Sequence, residues 1–142
     1  MSLMTDDVKA EVKEFLGGLD KPVTVHVYPM AGNPASDAVE ELWRDLSAIN
    51  PKVVVATEGV RPAPRPPETP DDLESAIAAF SVDGTDTGIR YLGFPGGHEF
   101  GPMLQILRDL STDTPPELSA AARDYLSQLK GPVHLEVFVT PT

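Results

Sequence analysis

Apolar residues change period along the chain, and each change marks an element. Val8, Val12, Phe15, Leu16 and Leu19 fall on one face of an N-terminal helix. Thr5 is placed to cap it, with Asp6 and Asp7 set against the positive end of the helix dipole. Gly17-Gly18 ends it. From Lys21 to Tyr28 the period drops to two: Val23, Val25 and Val27 alternate with Thr24, His26 and Tyr28, which predicts a strand with one buried face. Pro29 to Pro34 reads as a loop. Val39, Leu42, Trp43, Leu46 and Ile49 then mark the clearest helix, closed by Asn50-Pro51. Lys52 to Ala56 carries three consecutive valines, which predicts a buried strand parallel to the first across a β-α-β crossover.

Arg61 to Pro70 holds five prolines in ten residues and is expected to be an extended or mobile spacer outside any sheet. Beyond it, Asp71 to Glu74 looks like a helix start, while Ile77 to Val82 suits a strand. Asp83-Gly84 signals a turn, and Gly88 to Leu92 reads as the returning strand of a hairpin. The Gly93 to Gly97 turn leads into a helix with Phe100, Met103, Leu104, Leu107 and Leu110 on one face. Tyr91 and Phe94 are expected to pack in the core or the turn. Thr114 and Glu117 can form a capping box with Pro115 at the first helical position. That reading predicts a last helix from Thr114 to Leu129, with Leu118, Ala122, Tyr125, Leu126 and Leu129 inward, and a final strand from Val133 to Val139.

A helix, then β-α-β, then a β-hairpin and a helix describes an α/β chain of thioredoxin-like arrangement. It carries an extra N-terminal helix. Its last helix and strand repeat its first: Phe15–Tyr28 and Tyr125–Phe138 share one pattern at an offset of 110 residues. Such a period is domain-sized. The reading is one unit over residues 1–112, followed over 113–142 by a helix and strand equivalent to the start of a second. The stripe Val133, Leu135, Val137 and Val139 is therefore expected to join a sheet, at the edge of its own unit or across a two-fold dimer.

One segment carries a resemblance. Gly88-Ile89-Arg90-Tyr91-Leu92-Gly93-Phe94-Pro95-Gly96-Gly97-His98-Glu99-Phe100 resembles a block found in two related groups. These are the glutaredoxin-like protein disulfide oxidoreductases and the N-terminal region of the flavoprotein subunit of alkyl hydroperoxide reductase. Gly97, His98, Glu99 and Phe100 are its most specific part. The resemblance implies two thioredoxin-fold units, with a working unit placing a thiol pair at the start of the helix after its first strand, where helix N–H groups favour a thiolate. Here that place is held by Asn33, Pro34, Ala35 and Ser36: a good N-cap and a good first helical residue, with no sulfur. It is either a retired active site kept as a binding surface or an ordinary helix cap. Ser36 has no activating base nearby in sequence. The substrate-gripping cis-proline implied by the resemblance falls near Ala76, and no proline lies between Pro70 and Pro95.

Composition narrows the rest. Twenty-two acidic against eleven basic residues give a charge of -11, which disfavours nucleic acid and anionic membranes as partners. With no cysteine, thiol chemistry and cysteine-zinc sites are excluded for this chain. His26, His98 and His134 have no recognised ligand spacing, and no metal or cofactor is expected. His98 and Glu99 suit the first turn of a helix. No signal pattern or bilayer-length apolar run occurs, so the cytoplasm is expected. The leading expectation is a non-catalytic scaffold or docking domain beside a redox partner or a second thioredoxin-like unit. The alternative is the N-terminal part of a thiol-disulfide oxidoreductase whose CxxC or selenocysteine motif follows Thr142.

Overall fold

The computed structural model describes residues 3–30, 32–58 and 76–139. The proline-rich stretch Arg61 to Pro70 and the helix start at Asp71 to Glu74 lie outside them. The order is α1 (Asp6–Leu16), β1 (Val23–Tyr28), α2 (Pro34–Ile49), β2 (Val53–Thr57), β3 (Ile77–Val82), β4 (Thr85–Leu92), a 3-10 turn at Gly97–Glu99, α3 (Phe100–Thr112) and α4 (Ala120–Ser127).

The strands form one sheet in the order β2-β1-β3-β4. β1 runs parallel to β2 and antiparallel to β3, and β3 and β4 form an antiparallel hairpin. This is a thioredoxin-like core with extra terminal helices. Asp83 and Gly84 close the hairpin with φ of 51° and 76°. Both are left-handed, as a two-residue turn matching the strand twist requires.

Alternation in β1 sorts the sheet into two faces. Val23, Val25 and Val27 join Ala78 and Phe80 of β3 on one side. Val12 and Leu16 of α1, Val39, Leu42, Trp43 and Leu46 of α2, and Met103, Leu104 and Leu107 of α3 pack into that same cluster. All three helices therefore lie on one face of the sheet. Trp43 meets Phe80 edge-on, with ring centroids 5.7 Å apart. Thr5 caps α1 by accepting from the Val8 N–H, and Ser119 caps α4 by accepting from the Ala122 N–H.

Five expectations are corrected. β2 lies at the edge of the described sheet and is buried on one face only: Val53 is in the core and Val55 packs against it, but Val54 is half exposed. Val8 lies at the solvent side of α1. The last helix starts at Ala120, not after Thr114, because Pro116 drives Pro115 out of the helical region. Its predicted inward residues Leu118, Tyr125, Leu126 and Leu129 are exposed. Finally, residues 133–139 form no strand and join neither edge of the sheet. Leu135, Val137 and Phe138 are about 85% exposed.

Candidate functional site

The place implied for a thiol pair is the β1–α2 junction. Asn33 caps α2, its Oδ1 accepting from the Ala35 N–H at 2.9 Å, and Pro34 is the first helical residue. Ala35 is exposed, whereas Ser36 is 1% exposed. The Ser36 hydroxyl accepts from the Met30 N–H at 2.7 Å, so it is committed to holding the loop. That geometry provides a capped helix start whose one hydroxyl is buried and engaged by the preceding loop. Ala76 lies beside it: Tyr28 at the end of β1 pairs with Ile77, the next residue on β3. Ala76 is buried, and its carbonyl accepts from the Gly93 N–H at 2.9 Å.

The Gly97–Phe100 block ties β4 to α3. Glu99 accepts a hydrogen bond from the Tyr91 hydroxyl, and its other carboxylate oxygen is buried without a partner among the described residues. Burial and then the Glu99 hydrogen bond push the Tyr91 phenol well above its ordinary pKa. His98 is exposed and Phe100 half-buried against the core. Of the two aromatics expected in the core or turn, Tyr91 packs against the core, while Phe94, 41% exposed, lies over the turn with its ring 3.0 Å from where a Cβ on Gly96 would stand. Pro95 beside it is buried. The block thus supplies a clamp at the start of α3. No group of His, Asp and Glu that could hold a metal ion occurs among the described residues.

Sequence reading missed a polar row on the face of the sheet opposite α1, α2 and α3. His26 Nδ1 lies 3.0 Å from Glu58 Oε1, and His26 Nε2 lies 2.9 Å from Ser81 Oγ. A carboxylate only accepts, so Nδ1 carries the proton facing Glu58, and a neutral ring accepts from Ser81 through Nε2. The chain links β2's end, β1 and β3. Although it has the residue types of a serine nucleophile relay, Ser81 is buried on a strand paired on both sides, which ties up the backbone donors an oxyanion hole would need. Next to it, Arg90 donates to both carboxylate oxygens of Asp86 at 2.8 and 2.6 Å. That pairing, with the Gly88 N–H, lowers the Asp86 pKa to about 2. Alternation had placed His26 on the polar side of β1. Its partners, 32 and 55 residues away, become visible only with the strand order.

Comparison with known proteins bears on the same core. No family model matches the chain. The AhpF subunit of alkyl hydroperoxide reductase from Staphylococcus aureus is 24% identical over 142 residues, spanning 99% of this chain and 25% of the relative. Its Staphylococcus epidermidis equivalent gives the same values. A solved structure of a point mutant of the Enterococcus faecalis AhpF superposes with a TM-score of 0.66. The match has 16% identity and covers 89% of this chain and 61% of that one. Over nearly its whole length the chain is thus similar in sequence to part of AhpF-type subunits, and it shares their thioredoxin-like fold.

A separate structure of the NTD_N/C domain of the Enterococcus faecalis AhpF gives a TM-score of 0.64 at 16% identity, over 85% of this chain and 58% of that one. The chain spans about a quarter of the length of the curated AhpF relatives it matches. No helix among the described residues is long and apolar enough to cross a membrane.

Proposed function

We propose that this chain is a non-catalytic scaffold and docking domain of an AhpF-type assembly, acting in the cytoplasm beside a partner that carries the thiols. The carrying observation is the β1–α2 junction: Asn33 and Pro34 form a capped helix start, and Ser36, where the resemblance implies the second thiol, has a buried hydroxyl already hydrogen-bonded to Met30. A surface of that shape can receive a partner's chain without exchanging a disulfide with it. On this reading residues 1–112 are the scaffold and 113–142 the arm that meets the partner, either a second thioredoxin-like unit or another copy of this chain. The alanine at position 76 fits the same role, since a unit that does not grip substrate backbone has no use for a cis-proline there.

The test is a chimera. The quarter of the Staphylococcus aureus AhpF that aligns with this chain is deleted, or replaced by this chain, and hydroperoxide reduction is measured. Activity lost on deletion and regained at least in part in the chimera supports the scaffold. A chimera no better than the deletion overturns it.

A further inference from the structure

We propose that His26 is a proton-operated switch: a second proton on its ring reverses the His26–Ser81 hydrogen bond and closes the polar row from the end of β2 to β4. The switch is independent of the scaffold reading above.

Strand register brings the row together. The lateral partners of His26 are Ala56 on β2 and Ala79 on β3. Neither has a polar side chain, so the two ring nitrogens reach diagonal neighbours instead. These are Glu58, just past β2, at 3.0 Å and Ser81 of β3 at 2.9 Å. Ser81 has Asp86 of β4 as its own lateral partner. The row thus runs between the two edge strands of the described sheet.

Proton counting defines two states. With one proton, at Nδ1, the ring donates to Glu58 and accepts from the Ser81 hydroxyl. With two, Nε2 donates as well. The Ser81 oxygen must then accept, and its own proton turns away from the ring. Ser81 is 8% exposed, so that proton needs an acceptor within the protein. The register offers the Asp86 carboxylate across the strand. In this state His26 donates in both directions, to Glu58 directly and to Asp86 through Ser81.

The charges suit the second state. Among the described residues, those sharing the face with the ring are Glu58 beyond β2, Asp86 and Arg90 on β4, and the Tyr28 phenol on β1. Two carboxylates against one guanidinium leave the row one positive charge short, and the second proton supplies it. Arg90 and the Gly88 N–H, with a smaller contribution from His26, hold the Asp86 carboxyl down to about 2. Asp86 therefore remains an acceptor while a histidine titrates. Burial and then Glu58 hold the Tyr28 phenol above its ordinary value, so it stays neutral. Hydrogen bonds to an imidazolium are charge-assisted and roughly twice as strong as neutral ones. Acid therefore tightens both edges of the described sheet, until the carboxylates themselves take up protons.

The test is a titration of the full chain from about pH 8 to 5, with the histidine rings labelled with nitrogen-15. At the start the His26 ring should carry its proton at Nδ1. As it gains the second, exchange protection of the Glu58 amide, which donates to Val27, should rise about threefold. The Gly88 amide, which donates to Asp86, should shift in step with the ring. Glu58→Gln should abolish the rise at residue 58 and keep the Gly88 shift, while Ser81→Ala should do the reverse. A ring that takes up no second proton overturns the switch, as does one whose protonation moves neither amide. A neutral ring protonated at Nε2 overturns the reversal. A Gly88 shift undiminished in Ser81→Ala overturns the link through Ser81 and assigns the effect to charge acting across space.

Discussion

The Met30 N–H donates to the Ser36 hydroxyl at 2.7 Å, so a side chain one turn into α2 holds the loop that feeds it. Ser36 is buried, and with the hydroxyl gone the Met30 amide has lost this acceptor. Ser36→Ala should therefore destabilise the chain by about 1–3 kcal/mol. Urea unfolding followed by the single tryptophan, Trp43, reports it. An unchanged midpoint would mean that water replaces the hydroxyl at no cost.

The hairpin turn gives a purely backbone test. Gly84 has φ of +76° and nothing within 4 Å of where a Cβ would stand. Gly84→Ala thus introduces no clash, only a left-handed conformation for an L residue, and should cost about 1–2 kcal/mol. A smaller loss would show that the turn relaxes into another type.

Asp86 makes stability depend on acid. Its carboxyl, lowered to about 2 by Arg90 and the Gly88 N–H, is charged in the fold where an unfolded chain at pH 3 is largely protonated. The pairing therefore contributes fully above about pH 4 and fades as pH falls toward 2. The carboxylate is exposed and screened, so the contribution is modest. Denaturation of wild type and Asp86→Asn from pH 5 to 2 should show the two converging at the acid end. A constant gap would assign the effect to packing rather than charge.

Without thiols, the purified chain should add nothing to the rate at which a small dithiol reduces insulin. Turbidity onset should match the dithiol-only control at every concentration. Acceleration would require chemistry outside sulfur.

Residues 131–139 make none of the described sheet pairings, so removing 131–142 should leave the unfolding midpoint of a dilute sample unchanged. A drop of several degrees would show that the arm braces its own unit after all.

Legibility in the sequence followed the range of the cause. Thr5 and Asn33 cap their helices through hydrogen bonds two or three residues long, and β1 sorts its side chains by a local period, so these could be read directly. β2 was legible only in part: Val53 and Val55 face the core as three consecutive valines suggest, but Val54 looks buried until strand order puts it on an edge. The start of α4 was masked by competing local signals, a capping box at Thr114 against paired prolines at Pro115 and Pro116. Of the site, the helix start at Asn33 was legible and the fate of Ser36 was not, because its partner Met30 belongs to the preceding loop. The His26 row depended wholly on tertiary register.

With α1, α2 and α3 gathered on one side of the sheet, the two sides obey different rules of substitution. A change at Val25 or Phe80 is felt by the whole helical layer, whereas Thr24 and Ala56, on the opposite side, have as their described lateral partners Val54 and Ser81, and His26. An engineer wishing to write a new contact into this domain would begin there, at positions whose alteration leaves the packed layer undisturbed.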